Sequence, residues 1–396
     1  LDGAIDSPDG AACDRHTILR TAQVAAATPD AMAHIAAALG PGRFALVCLF
    51  VTAEADFAAI LAEAQRRFPD TPIMACTTAG ELGRDGYEDG QIVASAFPAE
   101  DFIVRLVTVP DVHDIAAQAF IDAVIQTRHE LRHAAPADWS EFAYLMIDGL
   151  SLREEHLTFM LATALGAMPL FGGSAGDGTR FVQTQLACGG APAQNAAVVA
   201  LIRSRAAVRV FTIDHFVPTD TRMVVTGARP DERIVTEINS APAAQEYARL
   251  LGKDPNQLDP FTFAEHPVVV RLGDSHHVRA IQRVNAAGEL VFFSAINEGM
   301  VLTLADHTDI AEHLDGAFDR LADPLPPLQI LACDCILRRI EAEKSQRSRD
   351  ISRILRRHNV TGYSTYGEQF GALHVNQTLT GVAFYPPDPE LDASRP

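Results

Sequence analysis

The chain has 396 residues, 48% of them hydrophobic, and its 51 acidic and 32 basic side chains give a net charge of −19. That length predicts two domains rather than one ordinary core, and the apolar fraction excludes an intrinsically disordered chain. The negative field argues against a nucleic-acid partner, no apolar run is long enough to cross a bilayer, and the six scattered cysteines predict reduced thiols in a cytoplasmic protein.

The opening dozen residues are small and polar and predict a frayed start to an N-terminal extension over 1–40, with a helix starting at Thr28-Pro29-Asp30. Residues 45–51 are continuously apolar, as in a strand buried on both faces, and an amphipathic helix follows with Phe57, Ile60, Leu61, Ala64 and Phe68 on one stripe. Strands are predicted at 91–97 and 103–109, a helix at 115–131, a buried strand at 142–147, a helix at 154–165, and short strands at 198–202 and 208–213.

The pattern changes at Arg229-Pro230-Asp231, which places one domain over 41–230 and a second over 231–390. The second opens with a strand at 234–238 and a helix near 242–251, then a turn-rich stretch over 252–267. Strands at 268–272, 278–284, 290–294 and 301–304, a helix over 306–321 and a strand at 328–333 come next. One long helix over 336–357 is predicted, with Ile336, Leu337, Ile340, Ile351, Ile354 and Leu355 inward. Its other face carries Arg338, Arg339, Lys344, Arg347, Arg349, Arg353, Arg356 and Arg357, most simply a solvated face and otherwise a dock for an acidic partner. The fold class is α/β in the mixed sense: largely antiparallel sheets flanked by helices, with recurring strand–turn–strand units.

Those units rest on a pattern that occurs three times: Thr78-Ala79-Gly80-Glu81, Ser174-Ala175-Gly176-Asp177 and Thr365-Tyr366-Gly367-Glu368. Each follows a short apolar run, and each is followed by a glutamine (Gln91, Gln183, Gln377) that leads into another. A hydroxyl, a glycine and an acid at this spacing describe a strand, a turn and a returning strand, and three distant copies predict one unit reused. Glu81, Asp177 and Glu368 either satisfy turn amides or line a shared cavity as acid/base or ammonium-binding groups.

The chain has no lysine-bearing phosphate loop, no G-x-S-x-G elbow, no H-E-x-x-H helix and no C-x-x-C-H haem attachment. Ser174 lies among glycines whose amides suit an anion, so a hydrolase using Ser174 and the repeat carboxylates is one reading. Among fourteen histidines, His374 shares a predicted strand face with Asn376 and Thr378 just after the third repeat and is the leading candidate ligand for haem iron. His266 and His307 are weaker candidates.

The first two repeat segments resemble the signature stretches of the FIST N-terminal domain. Arg279, Asn297-Glu298-Gly299-Met300, Cys333 with Arg338, and Tyr366-Gly367-Glu368 through Asn376-Gln377-Thr378 resemble the FIST C-terminal domain. The resemblance implies a sensory protein without catalysis. The segments 335–341 and 364–378 look closest to the NosP branch, which implies haem b, nitric oxide as the signal, and a separate histidine kinase or cyclic-di-GMP enzyme as partner. The expectation is therefore a stand-alone bacterial sensor, possible as a homodimer, with no nucleic acid, membrane or catalytic residue. Its pocket is drawn from Glu81, Ser174, Gly176, Asp177, Tyr366, Glu368 and Asn376. The family otherwise suggests a haem-free sensor of an amino acid or another small polar metabolite.

Overall fold

The structure, a computed structural model, describes residues 17–272 and 275–386, so residues 1–16 of the predicted N-terminal extension lie outside the described residues. The rest of that stretch is no extension: it supplies strand Arg20–Ala25 and helix Ala31–Leu39 of the first domain, because Arg20–Ala25 pairs with the strand that begins at Gln91. Its body is a single β-α-β-α-β-hairpin-β unit used three times. The first copy runs through strand Arg20–Ala25, helix Ala31–Leu39, strand Phe44–Thr52, helix Phe57–Arg67, strand Ile73–Thr78, hairpin Glu81–Gly83/Gly86–Glu88 and strand Gln91–Pro98. The second runs from Phe102–Val109 through helices Ala117–Ala134 and Glu154–Leu165 to Ala197–Ser204, and the third from Ala207–Ile213 through helix Ile310–Leu321 to Leu379–Tyr385.

In every copy the two strands around the second helical segment are parallel: Phe44–Thr52 with Ile73–Thr78, Ser140–Ile147 with Leu170–Ser174, and Gln329–Cys335 with Val360–Thr365. The last strand returns antiparallel beside the first of that pair. The hairpin between them leaves its own sheet. That of the first copy pairs with the third (Tyr363↔Glu81), that of the third with the second (Glu368↔Gly173), and that of the second with the first (Leu186↔Cys76). Three six-stranded sheets are thus joined in a ring of exchanged hairpins, each covering an edge that would otherwise stand open. Their inner faces meet in one core, where Phe50 of the first copy stacks on Tyr363 of the third at 4.8 Å and Phe102 of the second meets Phe384 of the third edge-on.

Between Ile213 and Ile310 the third copy carries an insert, an eight-stranded antiparallel sheet with helices Ala243–Leu251 and Pro260–Glu265 and its own core around Met223, Val235, Tyr247, Phe263 and Leu302. Arg229-Pro230-Asp231, read as a domain boundary, forms the turn that joins two paired strands of this sheet, Phe216–Arg229 and Ile234–Ile238. The turn-rich stretch 252–267 holds a helix because Asp259 caps it through the Thr262 amide and Pro260 occupies its first turn. The expected long helix is two helices, Ile336–Lys344 and Ser348–Arg357, broken where Gln346 takes a left-handed conformation. The break falls inside the ten residues between Ile340 and Ile351, where the apolar stripe lapses. Arg338 and Arg339 are buried, so the basic face does not extend along both helices.

Candidate functional site

The three repeat carboxylates are turn anchors. Glu81 accepts from Thr78 Oγ1 and from the Gln91 amide (3.0 Å), and Glu368 accepts from Thr365 Oγ1 and from the Thr378 amide and hydroxyl (3.2 and 2.8 Å). In both, the acid holds the hydroxyl three residues back and the start of the returning strand ten residues on, which explains the recurring spacing. Asp177 accepts from the amides of Phe181, Val182 and Gln183 at 2.8–3.0 Å and from Tyr366 Oη. All three are buried, with their oxygens occupied. They do not converge on one cavity: Glu81 sits in the third copy's sheet and Glu368 in the second's.

Burial pushes the Glu81 carboxyl up to about 7 and that of Glu368 up to about 8, outweighing the hydroxyl and amide donors that favour the charged form. An unfolded glutamate titrates near ~4.3. The stability held by these two protons is therefore complete below that value and lost as pH rises through the folded values. Thermal stability is expected to fall from pH ~5 to ~8, and Glu368→Gln to flatten the slope by close to one proton. Melting curves across that range, with an unchanged slope in the variant, would refute the assignment.

The exchanged hairpin of the third copy builds a different kind of site. His374 pairs with Gln369 across the hairpin, at the carboxyl ends of the parallel strands Ser140–Ile147 and Leu170–Ser174, where open α/β sheets bind ligands. His374 is buried, and burial pushes its pKa down despite the pull of Glu155 and Glu154, so the ring is neutral. Gln369 Nε2 donates to Ser174 Oγ (3.0 Å) and to His374 Nδ1 (3.3 Å). An imidazole accepting at Nδ1 carries its proton on Nε2. That Nε2–H has no partner, nor has Asn376 Nδ2, whose Oδ1 accepts from Ser294 Oγ at 2.6 Å, nor Arg279 Nε. A Cβ placed on Gly367 would fall 2.4 Å from His374 Cε1 and 2.9 Å from both His374 Nε2 and Asn376 Nδ2, so only glycine lets the backbone pack this closely against the two side chains. Arg279 lies alongside, its NH1 3.4 Å from the His374 carbonyl oxygen.

The insert closes this cluster. Arg233, at the end of the Pro230–Glu232 turn, forms ion pairs with Glu154 and Glu155 at 2.6 Å, and Glu155 also accepts from the Ala295 amide at 2.8 Å. Burial works against the Glu155 carboxylate, and His374 first, then Arg233 and the Ala295 amide, hold it below the ordinary range. Outside lies a cleft of about 460 Å³ between body and insert, lined among others by His113, Glu155, Asp231, Arg233 and Asn297. A path of groups leads inward from the half-buried Glu155 through Ala295 and Ser294 to Asn376.

Of the predicted pocket residues, the hairpin gathers Ser174, His374 and Asn376 in one place. Tyr366 and Gly176 serve the Asp177 turn instead: Tyr366 Oη accepts from the Asp177 amide at 3.0 Å, and the Gly176 amide donates to the Thr77 carbonyl at 3.0 Å. His266 is half-buried at the end of helix Pro260–Glu265, and His307 is exposed at the end of a strand. The Gln369 amide separates Ser174 Oγ from His374, so these two do not form a nucleophile–base pair. Glu155, Arg233, Ser294 and Gln369 carry no local sequence signal and were not anticipated. Only the cross-strand register opposite His374 would have pointed to Gln369.

Residues 45–241 match the family model described as FIST N domain, and residues 243–371 match that described as FIST C domain. No curated protein matches the chain.

Proposed function

Since the chain belongs to the FIST family, whose domains are sensory, we propose that it senses a small zwitterionic metabolite of the α-amino-acid class at the junction of body and insert. The observation that carries this reading is the group of three buried, unpartnered donors: His374 Nε2–H, Asn376 Nδ2 and Arg279 Nε. Three unpartnered donors against one unpartnered acceptor, Gln369 Oε1, leave a surplus of donors that calls for a carboxylate, and leaving each donor empty costs about 1–3 kcal/mol. Glu155 stands on the mouth side to take the ammonium group, and the 460 Å³ cleft receives the ligand's side chain. Carboxylate binding pulls on residues of both the hairpin and the insert, so the ligand shifts the equilibrium between arrangements of the two bodies. A separate signalling enzyme of the kind the resemblance implies, a histidine kinase or a cyclic-di-GMP enzyme, would read that shift. A coupling of about 1–3 kcal/mol suffices for such a switch.

Haem b with nitric oxide is the second reading, favoured by the buried imidazole with a free Nε2. The residues present do not fit it. Nε2 holds the proton rather than a lone pair unless the Gln369 amide turns over, and the ring's neighbours are Gln369, Asn376 and Arg279 rather than an apolar slot.

Thermal-shift and calorimetric screening of amino acids, with the matching amines and carboxylic acids as controls, tests the proposal. At least one zwitterion is expected to bind, and Asn376→Leu to weaken it by about 10–100-fold, the cost of one charge-assisted hydrogen bond. Absence of any shift at millimolar amino acid, or a sharp Soret band that responds to nitric oxide after expression with haem, would overturn it.

A further inference from the structure

We infer that a second, independent site on the third copy binds a small phosphate ester. The cleft, of about 450 Å³, lies between the hairpin exchanged from the first copy and the helices Ile336–Lys344 and Ser348–Arg357. Within the repeat architecture it is the counterpart of the His374 site. Tyr87 pairs with Leu82 across its hairpin as His374 pairs with Gln369 across the other, and in each case the helical segment after the first parallel strand packs on the hairpin. The insert, which covers the His374 site, contributes no residue to this one.

The side chains have changed accordingly. Arg339, Arg349, Arg353 and Arg356 line the cleft against two carboxylates, Asp85 and Glu343. Arg349, Arg353 and Arg356 follow an i, i+4, i+7 spacing that places them on one face of their helix. In a chain of net charge −19, such a concentration of guanidinium groups stands out against the overall charge. Three of these groups are also available, Arg339 being held by Asp89 at 2.6 Å. Arg349 has no ion pair among the described residues, Arg356 reaches Asp85 only at 4.0 Å, and Arg353 meets Asp350 at 3.2 Å with 69% of its side chain exposed. Pairs this exposed contribute little and are readily exchanged for a ligand.

Neutral donors complete the set. Ser348 Oγ is buried without a partner, and Ser352 Oγ accepts from the Tyr87 amide at 3.1 Å, which leaves its own proton free to donate. Arg339 is fixed over the Tyr87 ring at 5.2 Å and forms the wall. Several guanidinium forks and hydroxyls around one cleft suit the multiple oxygens of a phosphoryl group better than a single planar carboxylate. The volume suits a ligand the size of a mononucleotide.

Calorimetric titration of the full chain with pyrophosphate and with ATP, at about 50 mM salt, tests this. Submillimolar binding is expected, weakening as salt rises, and the exposed pair Arg349→Ala/Arg353→Ala should reduce affinity by at least about tenfold with an unchanged melting temperature. Arg66→Ala/Arg67→Ala, on a different exposed helix, should leave it unchanged. No binding at millimolar probe, or equal loss in both double variants, would overturn the site. Stronger, Arg349-dependent binding of a glutamate-rich peptide would overturn the ligand class in favour of an acidic protein segment.

Discussion

Arg338→Met is expected to destabilise the protein by about 3–5 kcal/mol, the cost of stranding one member of a buried ion pair. Arg338 and Asp334 are both fully buried, with Arg338 Nε 2.8 Å from Asp334 Oδ1. Tyr87 Oη, from the exchanged hairpin, donates to the other carboxylate oxygen. On its far side Arg338 NH1 donates to His215 Nδ1 at 3.0 Å. Arginine can only donate, so His215 carries its proton on Nε2 and gives it to Glu341 Oε1 at 2.8 Å. Burial and the neighbouring Arg338 push the His215 pKa down to about 2, while burial lifts Glu341 to about 7. His215 stands where the chain leaves the body for the insert, and its carbonyl accepts from the Thr308 amide where the chain returns. One guanidinium therefore ties together the first copy's hairpin, the third copy's strand and the root of the insert. Methionine fills the volume but leaves Asp334 without its arginine partner and His215 without a donor. Asp334→Asn combined with Arg338→Met should recover much of the loss in denaturant unfolding. A single-variant cost below about 1 kcal/mol would mean the pair does not hold the three parts together.

Gly362→Ala is expected to cost at least about 3 kcal/mol, and more if the sheet cannot adjust. Gly362 has φ +153° and lies opposite Ala332 in the parallel pair Gln329–Cys335/Val360–Thr365. An added Cβ would fall 1.8 Å from the Ala332 carbonyl oxygen, a backbone atom that cannot swing away. Gly381 faces Ala332 from the other side, so the strand is packed between two glycines. The clash pushes the third copy's central strands apart and weakens the edge on which the first copy's hairpin pairs. Soluble yield and the unfolding midpoint measure the effect, and a variant within about 1 kcal/mol of the parent would show that the strands separate easily.

Much of this architecture is legible in the amino acids. The continuous apolar runs within Phe44–Thr52 and Ser140–Ile147 declare strands covered on both faces. The hydroxyl–x–glycine–acid turns declare a reused unit, because a carboxylate three residues past a hydroxyl can bind it and then catch the amide of the returning strand. Apolar spacing misleads where two helices follow one another: Ile336–Leu337–Ile340 and Ile351–Ile354–Leu355 read as one stripe, and only the lapse between them marks the break at Gln346. Arg338 and Arg349 look alike as letters in a basic stretch. One is enclosed because Asp334 and His215 await it, and the other lies open to solvent.

The sequence alone determined the alternation of strands and helices, the three turns and their carboxylates, and the family, since each rests on chemistry between residues close together in the chain. The tertiary structure alone decided which sheet receives each hairpin, that the segment from Phe216 to His307 is an insert, and that His374, Asn376 and Arg279 meet as donors without acceptors. The physical reason is that sheet edges and buried polar groups select partners through space. Glu368 and Gly173 pair across nearly two hundred residues of chain, a choice made by closure of the ring and by no local preference.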